Sequence, residues 1–256
     1  MIQVVSIKVN KKCRIIIVVI SVCIIVFGTA YYIKVYRPER LAIKVYQLVN
    51  NEDLSQTEFL EEVLMLDTNH FLLQGAQVRI MWLFTKYRMV EEIDLIVDYY
   101  NRSEDPHLRT AIIGGMGRIG TIKTVDFLEK ELAMNNNLRE IKSIYLSLFK
   151  IYFQESEDQK EIQRKIYKIY NGIKLSDKEL LLRKYLIKYF EGEKDYLQEL
   201  KDIAYGTDND LKKELVDIFA FEIENKNLIR NNKAVVDIIQ ELYKDNEYRN
   251  YLEGYY

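Results

Sequence analysis

The chain has 256 residues, with 37 Lys and Arg against 39 Asp and Glu, and only 2 Pro and 10 Gly. That length buries a sizeable core, and so few chain breakers favour long helices over a sheet with many turns. Residues 1–33 carry Lys8, Lys11, Lys12 and Arg14 and no acid, so the remainder is net acidic, which argues against a general nucleic-acid binder with its basic face.

Both cysteines, Cys13 and Cys23, lie in or beside an apolar N-terminal segment. The rest of the chain therefore has no disulfide framework, thiolate metal site or cysteine nucleophile. Tyr and Ile are frequent; both are mediocre helix formers, so packing rather than propensity must hold the helices.

Three regions follow in chain order: a basic tail over 1–14, an apolar segment over 15–33, and a helical body over 34–256. Ile15 to Ile33 reads IIIVVISVCIIVFGTAYYI, without a charge. At about 1.5 Å rise per residue it nearly matches the hydrocarbon thickness of a bilayer, where only a helix satisfies its own backbone. Tyr31 and Tyr32 sit where an aromatic belt lies, and Lys34 ends the span. A buried core helix and a cleaved signal peptide are the alternatives. Gly28-Thr29-Ala30 offers the latter a small-x-small site behind a basic region. The length of the apolar run favours an uncleaved single-pass anchor. Lys34, Arg37, Arg40 and Lys44 nearly balance the preceding bases. The tight Lys11, Lys12, Arg14 cluster on a short tail points to the N-terminus inside and the body outside the cytoplasm.

In the body, Pro38 suits the first turn of a helix, with Leu41, Val45 and Leu48 following at helical spacing. Ser55-Gln-Thr-Glu58 and Ser176-Asp-Lys-Glu179 read as capping boxes. Asp105-Pro106 reads as an N-cap followed by a first-turn proline. Gly172 and Gly206 stand where left-handed C-caps are wanted. The pattern predicts about twelve helices joined by short loops, and no sheet.

A repeat emerges on shifting the chain by 32 residues from Ala76 onward. Ala76 then falls on Leu108, Ile80 on Ile112, Phe84 on Met116 and Tyr87 on Ile119. Val90 falls on Ile122, Ile93 on Val125, Asp94 on Asp126 and Ile96 on Leu128. Each unit is two amphipathic helices that cannot cover their own apolar stripes, so neighbours must stack. Weaker pairs continue to Leu242. The fold class expected is all-α: an α-solenoid of antiparallel hairpins preceded by one transmembrane helix.

The segment DPHLRTAIIGGMGRIGTIKTVDFLEKEL at 105–132 resembles a HEAT-like repeat of the short kind also found in phycobilisome lyases. Asp105-Pro106, Leu108-Arg109, Ala111, the small patch Gly114, Gly115 and Gly117, Ile119-Gly120 and Leu128 carry the resemblance. The preceding unit departs from it, with Gln77 in place of the arginine and Trp82 and Phe84 in place of small residues. The resemblance implies an α-solenoid that binds other proteins, and does not imply lyase activity. It also implies a half-buried pair of Arg109 and Asp126 tying adjacent repeats, repeated by Arg139 and Asp94; an anion-binding arginine is the alternative.

Gly115-Met-Gly-Arg-Ile-Gly120 spells GxGxxG, but a dinucleotide site needs that motif between strand and helix; here it reads as close helix packing. His70 and His107 have no partner at ligand spacing, and Asp208-Asn-Asp210 reads as a helix cap rather than a calcium loop. Tyr99, Tyr100, Tyr167 and Tyr170 suit a core with hydroxyls at its wet edge better than a recognition surface. No catalytic, cofactor or metal-ligating residue is assigned. The function expected is a membrane-anchored, non-enzymatic scaffold binding a protein partner, with no nucleic acid and no small-molecule substrate evident. A HEAT-fold enzyme of lyase or base-excision type and a structural part of an envelope complex are the alternatives. Binding is expected on the second helices, about Val90–Tyr100 and Ile122–Met134, with Val90, Ile93, Val97, Ile122, Val125, Leu128 and Leu132 inward. Glu91, Asp98, Lys123 and Lys130 then face outward, and Leu95 and Phe127 contact the neighbouring repeat.

Overall fold

The computed structural model describes residues 11–67, 70–156, 158–172, 177–244 and 249, with side chains from residue 18 onward. Among these there are helices and loops and no strand. The chain divides into two compact units, Met1–Ile80 and Met81–Tyr256, with the division inside one helix.

In the first unit, α1 (Lys11–Tyr31) passes through a π-helical turn (Tyr32–Tyr36) into α2 (Arg37–Asn50) without a break. Pro38 stands in the first turn of α2, as its sequence suggests, but no loop precedes it: Tyr36 and Arg37 keep helical dihedrals and Arg37 N–H donates to Tyr32 O. That bond spans five residues. Pro38 cannot donate to the preceding turn, and a wide turn just before it absorbs the mismatch instead of ending the helix. Every described side chain from Val18 to Lys34 is exposed. The helix is long and apolar enough to cross a membrane and none of its apolar window is buried, which removes the core-helix alternative.

The buried face of α2 is Pro38, Ala42, Val45, Leu48 and Val49. The next helix, α3 (Thr57–Met65), buries Leu60, Val63 and Leu64. The Ser55 capping box does not form. Asp53 Oδ1 accepts from Ser55 N–H at 2.8 Å and Thr57 Oγ1 donates to Leu54 O at 2.7 Å, so a local turn holds Ser55 and α3 starts later, at Thr57. The carboxyl of Asp53 is held below its usual range by those Ser55 hydrogen bonds. In α4 (Phe71–Lys86), Gln77 is buried and its amide donates to Val63 O and Leu66 O, satisfying carbonyls at the end of α3.

The second unit takes the end of α4, a short 3₁₀ turn (Val90–Glu92), α5 (Ile93–Arg102), α6 (Pro106–Ile119), α7 (Ile122–Met134), α8 (Leu138–Tyr152) and α9 (Gln159–Asn171). There follow α10 (Lys178–Phe190), α11 (Tyr196–Tyr205), α12 (Asn209–Asp217), a π-helical turn (Ile218–Glu222), α13 (Lys226–Arg230) and α14 (Lys233–Tyr243). Consecutive helices pack as hairpins: α5 on α6, α6 on α7, α7 on α8, α8 on α9 and α10 on α11. Alternate helices also pack, α6 on α8, α8 on α10 and α10 on α12, and likewise α5 on α7 and α7 on α9.

The helix ends follow ordinary capping chemistry. Asp105 accepts from His107 N–H at 2.9 Å, with Pro106 opening α6. Ser176 lies outside the described residues; Asp177 caps α10, accepting from Glu179 and Leu180. Asn137, Asn225 and Asn232 cap α8, α13 and α14. At α7 a capping box joins Thr121 and Thr124, a pairing the usual Ser/Thr-to-Glu/Gln pattern overlooks. Gly172 and Gly206 are not left-handed, with φ of −69° and −74°. Left-handed residues end other helices: Gly120 at φ 69° after α6, and Glu52, Arg88 and Gly192 just past α2, α4 and α10.

The close approach of α6 to its neighbours explains its glycines. A Cβ at Gly115 would lie 2.6 Å from Thr85 Cγ2, and one at Gly117 2.8 Å from Ser147 Cβ and 3.0 Å from its Cα. One at Gly114 would meet nothing within 4 Å. Gly117→Leu therefore forces α6 and α8 apart, at about 1–3 kcal/mol or more. Gly114→Ala should be stabilising by up to about 1 kcal/mol through helix propensity alone. Urea unfolding of the two variants checks this; equal midpoints would overturn the packing argument.

Candidate functional site

Arg109 and Asp126 do not meet. Arg109 turns into the unit, where Nε donates to Glu140 Oε2 at 3.1 Å and a terminal nitrogen to Tyr100 Oη at 2.5 Å, with Glu131 Oε2 at 3.6 Å. Its guanidinium lies over the Tyr100 ring, 4.1 Å from the centroid. Tyr100 Oη donates to Glu131 Oε2 at 2.9 Å, and Asn135 Nδ2 donates to Glu140 Oε2 at 2.5 Å. The cluster joins α5, α6, α7 and α8. Two buried carboxylates select the arginine because only a planar fork serves several acceptors at once. Burial, then the neighbouring Glu131, pushes the Tyr100 hydroxyl far above its usual value. Arg139, expected to repeat Arg109, is exposed; its neighbour Glu140 holds the buried place.

Asp94 and Asp126 form a ladder of another kind. Lys123 Nζ on α7 stands 2.7 Å from Asp94 Oδ2 on α5. Lys165 on α9 bonds Asp126 on α7, and its Nζ is 2.9 Å from Glu129 Oε2. Each acid thus meets a lysine from the second helix after its own, across the face shared by α5, α7 and α9. The sequence repeat placed the acids correctly, but their partners lie one hairpin further on.

Glu91, Asp98, Lys123 and Lys130 are exposed beside this ladder, as expected. The inward stripe differs. Ile93, Ile96, Tyr99 and Tyr100 are buried on α5, and Thr124, Val125, Phe127, Leu128 and Glu131 on α7. Val90 is exposed, and Val97, Ile122 and Leu132 are only half-buried. The 3₁₀ turn at Val90–Glu92 rotates the start of the helix, so the period counted from Val90 is out of phase. Phe127 packs edge-on against Tyr100, 5.1 Å between centroids, so it belongs to the contact between hairpins.

A second buried arginine, Arg183 on α10, was not singled out by the sequence. It donates to Glu222 through two nitrogens, to Glu179 O at 2.7 Å, and pairs with Glu214 Oε1 at 2.7 Å. Burial opposes its charge, but Glu222 and Glu214 outweigh that and raise its pKa. The spacing of Arg183 among apolar residues carries no mark of this, because its partners arrive from α12 and the following π turn.

The remaining candidates have structural places. Gly115, Gly117 and Gly120 lie in or at the end of α6, between helices rather than after a strand. His107 is exposed in the first turn of α6 and His70 half-buried before α4. Among the described residues no group of three or more His, Cys, Asp or Glu is placed to hold a metal. Asp208 caps α12 through Leu211 N–H, which holds its carboxyl below the usual range. Tyr170 is buried and donates to Tyr145 O at 2.7 Å, while Tyr167 at the wetter edge donates to Glu193. A polar cleft of about 420 Å³ is lined by Arg88, Glu224, Asn225, Lys226 and Arg230 among others. There Arg88 pairs with Glu224 at 2.5 Å, and Lys226 donates to Phe219 O at 2.7 Å, closing the π turn.

Replacing Arg183 by Met strands two carboxylates. The expected loss is about 3–5 kcal/mol at neutral pH. Urea unfolding of wild type and Arg183→Met at neutral pH checks this; a loss below about 1 kcal/mol would show that the cluster does not need its arginine.

Burial raises Tyr99 and Tyr145 to about 12. A folded pKa above the unfolded one contributes stability that is complete below about pH 10, the unfolded value, and is lost as pH rises towards 12. Tyrosinate absorbance in an alkaline titration should show these residues ionising together with unfolding. Their ionisation near pH 10 with the helices intact would contradict it.

Compared with family models, curated proteins and solved structures, the chain has no match, so the geometry alone carries the functional reading.

Proposed function

We propose that the chain is a single-pass membrane-anchored scaffold, without catalytic activity, whose helical hairpins stack as a short HEAT-like solenoid and bind another protein. The observation that carries this reading is the packing order in the second unit. Helices one hairpin apart pack on each other in two series, as expected where each hairpin needs its neighbours to cover its apolar stripes. The polar face across α5, α7 and α9, with Glu91, Asp98, Lys123 and Lys130, is the binding surface of this reading. Extended concave faces are what such stacks offer to partners.

The anchor rests on α1. Its apolar side chains from Val18 onward are exposed, and leaving a large apolar side chain in water rather than burying it costs about 1.5–3 kcal/mol. A bilayer removes that cost. The body lies outside the cytoplasm in this reading, with the basic tail inside.

Two measurements test it. The full-length chain should resist alkaline carbonate extraction; a soluble product beginning near Tyr31 would establish cleavage instead. In crosslinking pulldowns from the native host, charge reversal at Glu91, Lys123 and Lys130 should weaken partner recovery about tenfold. Reversal at the exposed Arg79 and Arg118 of the first helices should not. The fold should survive, since exposed ion pairs such as Lys123–Asp94 contribute at most about 1 kcal/mol. Equal weakening by both sets, with helicity intact, would overturn the assignment of the face.

A further inference from the structure

The continuity of α1 and α2 places charge at a definite height. Arg37, Arg40 and Lys44 recur at spacings of three and four, so they lie along one side of α2. All three are exposed, as is Lys34 one turn earlier. The body covers a different side of the helix, that of Pro38, Ala42, Val45, Leu48 and Val49. Among the described residues none of the four cations is within ion-pair distance of a carboxylate, and the half-buried Glu39 stands off the stripe. The groups that Arg40 and Lys44 meet are aromatic. Arg40 Nε donates to Tyr36 Oη at 2.9 Å, and Lys44 Nζ lies 3.8 Å from the centroid of Phe59. Tyr32 and Tyr36 stack with centroids 5.6 Å apart, forming an aromatic edge at the end of the apolar run.

With about 1.5 Å rise per residue, Lys34 stands about 1.5 Å beyond Ile33, Arg37 about 6 Å, Arg40 about 10 Å and Lys44 about 16 Å. The headgroup layer on each side of a bilayer is roughly 5–8 Å deep. Lys34 and, over most of that range, Arg37 therefore fall within it, and Arg40 lies a few ångströms, about 2–5 Å, beyond it. Lys44 lies within about one Debye length, some 8–10 Å, of its surface. The helix keeps these cations at fixed heights because it has no linker in which to lose them. An acidic body would otherwise be repelled by an anionic surface, since the chain after residue 33 carries more acids than bases.

From this placement we infer that Lys34, Arg37, Arg40 and Lys44 form a headgroup-binding stripe for anionic phospholipids in the leaflet nearer the body. This rests on the reading that α1 spans the membrane. The shared chemistry is a phosphate anion; its source here is the lipid headgroup, held beside cations that all stay exposed, Lys44 while resting against Phe59. Each basic residue near an anionic surface contributes about fivefold to partition.

The test uses the full-length chain in neutral detergent, with phosphatidylglycerol or phosphatidylcholine added and bound lipid counted by native mass spectrometry. Phosphatidylglycerol should be retained at least about tenfold more tightly, with the preference shrinking in high salt. The variant Arg37→Gln/Arg40→Gln/Lys44→Gln should lose the preference while keeping wild-type helicity. The charge-conserving variant Arg37→Lys/Arg40→Lys/Lys44→Arg should keep it. Equal retention of the two lipids by wild type, or an unchanged preference in the glutamine variant, overturns the inference. Displacement of phosphatidylglycerol by inorganic phosphate at equal concentration overturns the lipid assignment in favour of a simple anion site. Carbonate extraction separates the two levels. Release of wild type shortened to near Tyr31 removes the span itself, whereas a retained wild type with no lipid preference removes only the stripe.

Discussion

The second unit depends on how closely α6 and α8 can approach. Gly117 lets the Ser147 backbone come within van der Waals reach, and Ser147 Oγ then donates to Ile113 O at 3.0 Å. One turn along, Gln154 Nε2 donates to Gly117 O at 2.6 Å, and its side chain fills the space that a Cβ at Gly120 would take. Buried polar groups on α8 and just past its end thus answer to the backbone of α6, where no side chain intervenes. Because α6 also carries Arg109, that separation fixes where the guanidinium meets Glu140 at the start of α8. Packing and electrostatics here are one constraint, since an added methyl group at Gly117 moves both.

The two buried arginine clusters are built on the same logic. Each gathers two carboxylates from other helices around one guanidinium, in surroundings where unpaired charge is costly. Such clusters are weak sources of net stability but strong discriminators of arrangement, because a slipped helix leaves a charge stranded. Placing one at α5–α8 and another at α10 and α12 distributes that discrimination along the unit. The exposed lysine ladder over α5, α7 and α9 is different in kind: its partners remain solvated, so it contributes little to folding and leaves its charges accessible.

Much of the helical architecture was legible in the order of residues. Helical periodicity, the Asp105-Pro106 start and the small patch of α6 each state a local rule, and the structure obeys it. The failures have physical causes. Pro38 marks the first turn of α2 correctly, but nothing in its residue type reveals that a π turn joins that helix to α1 without a loop. Ser55 lost its capping role to the Asp53 turn two residues earlier. The phase error at Val90 came from a 3₁₀ turn, which periodicity cannot see. The Arg109 partner was misassigned because Glu131 and Glu140 are ordinary-looking acids on helices rich in them, and burial by other helices is a tertiary fact. Arg183 was missed for the same reason. For the proposed binding face the sequence offers only exposed charges, since no residue type along it announces a ligand.

The uninterrupted run from α1 into α2 also has a mechanical meaning. A span joined to its body by a loop leaves the body free to swivel, whereas a helix that simply continues acts as a lever arm. In the proposed anchored state, α1 would answer changes in hydrocarbon thickness by tilting, and α2 would tilt with it. The rest of the first unit, packed along Ala42, Val45 and Leu48, is carried through the same arc. A thin membrane and a thick one would thus present the first unit at different inclinations, making local lipid composition a mechanical input to the protein.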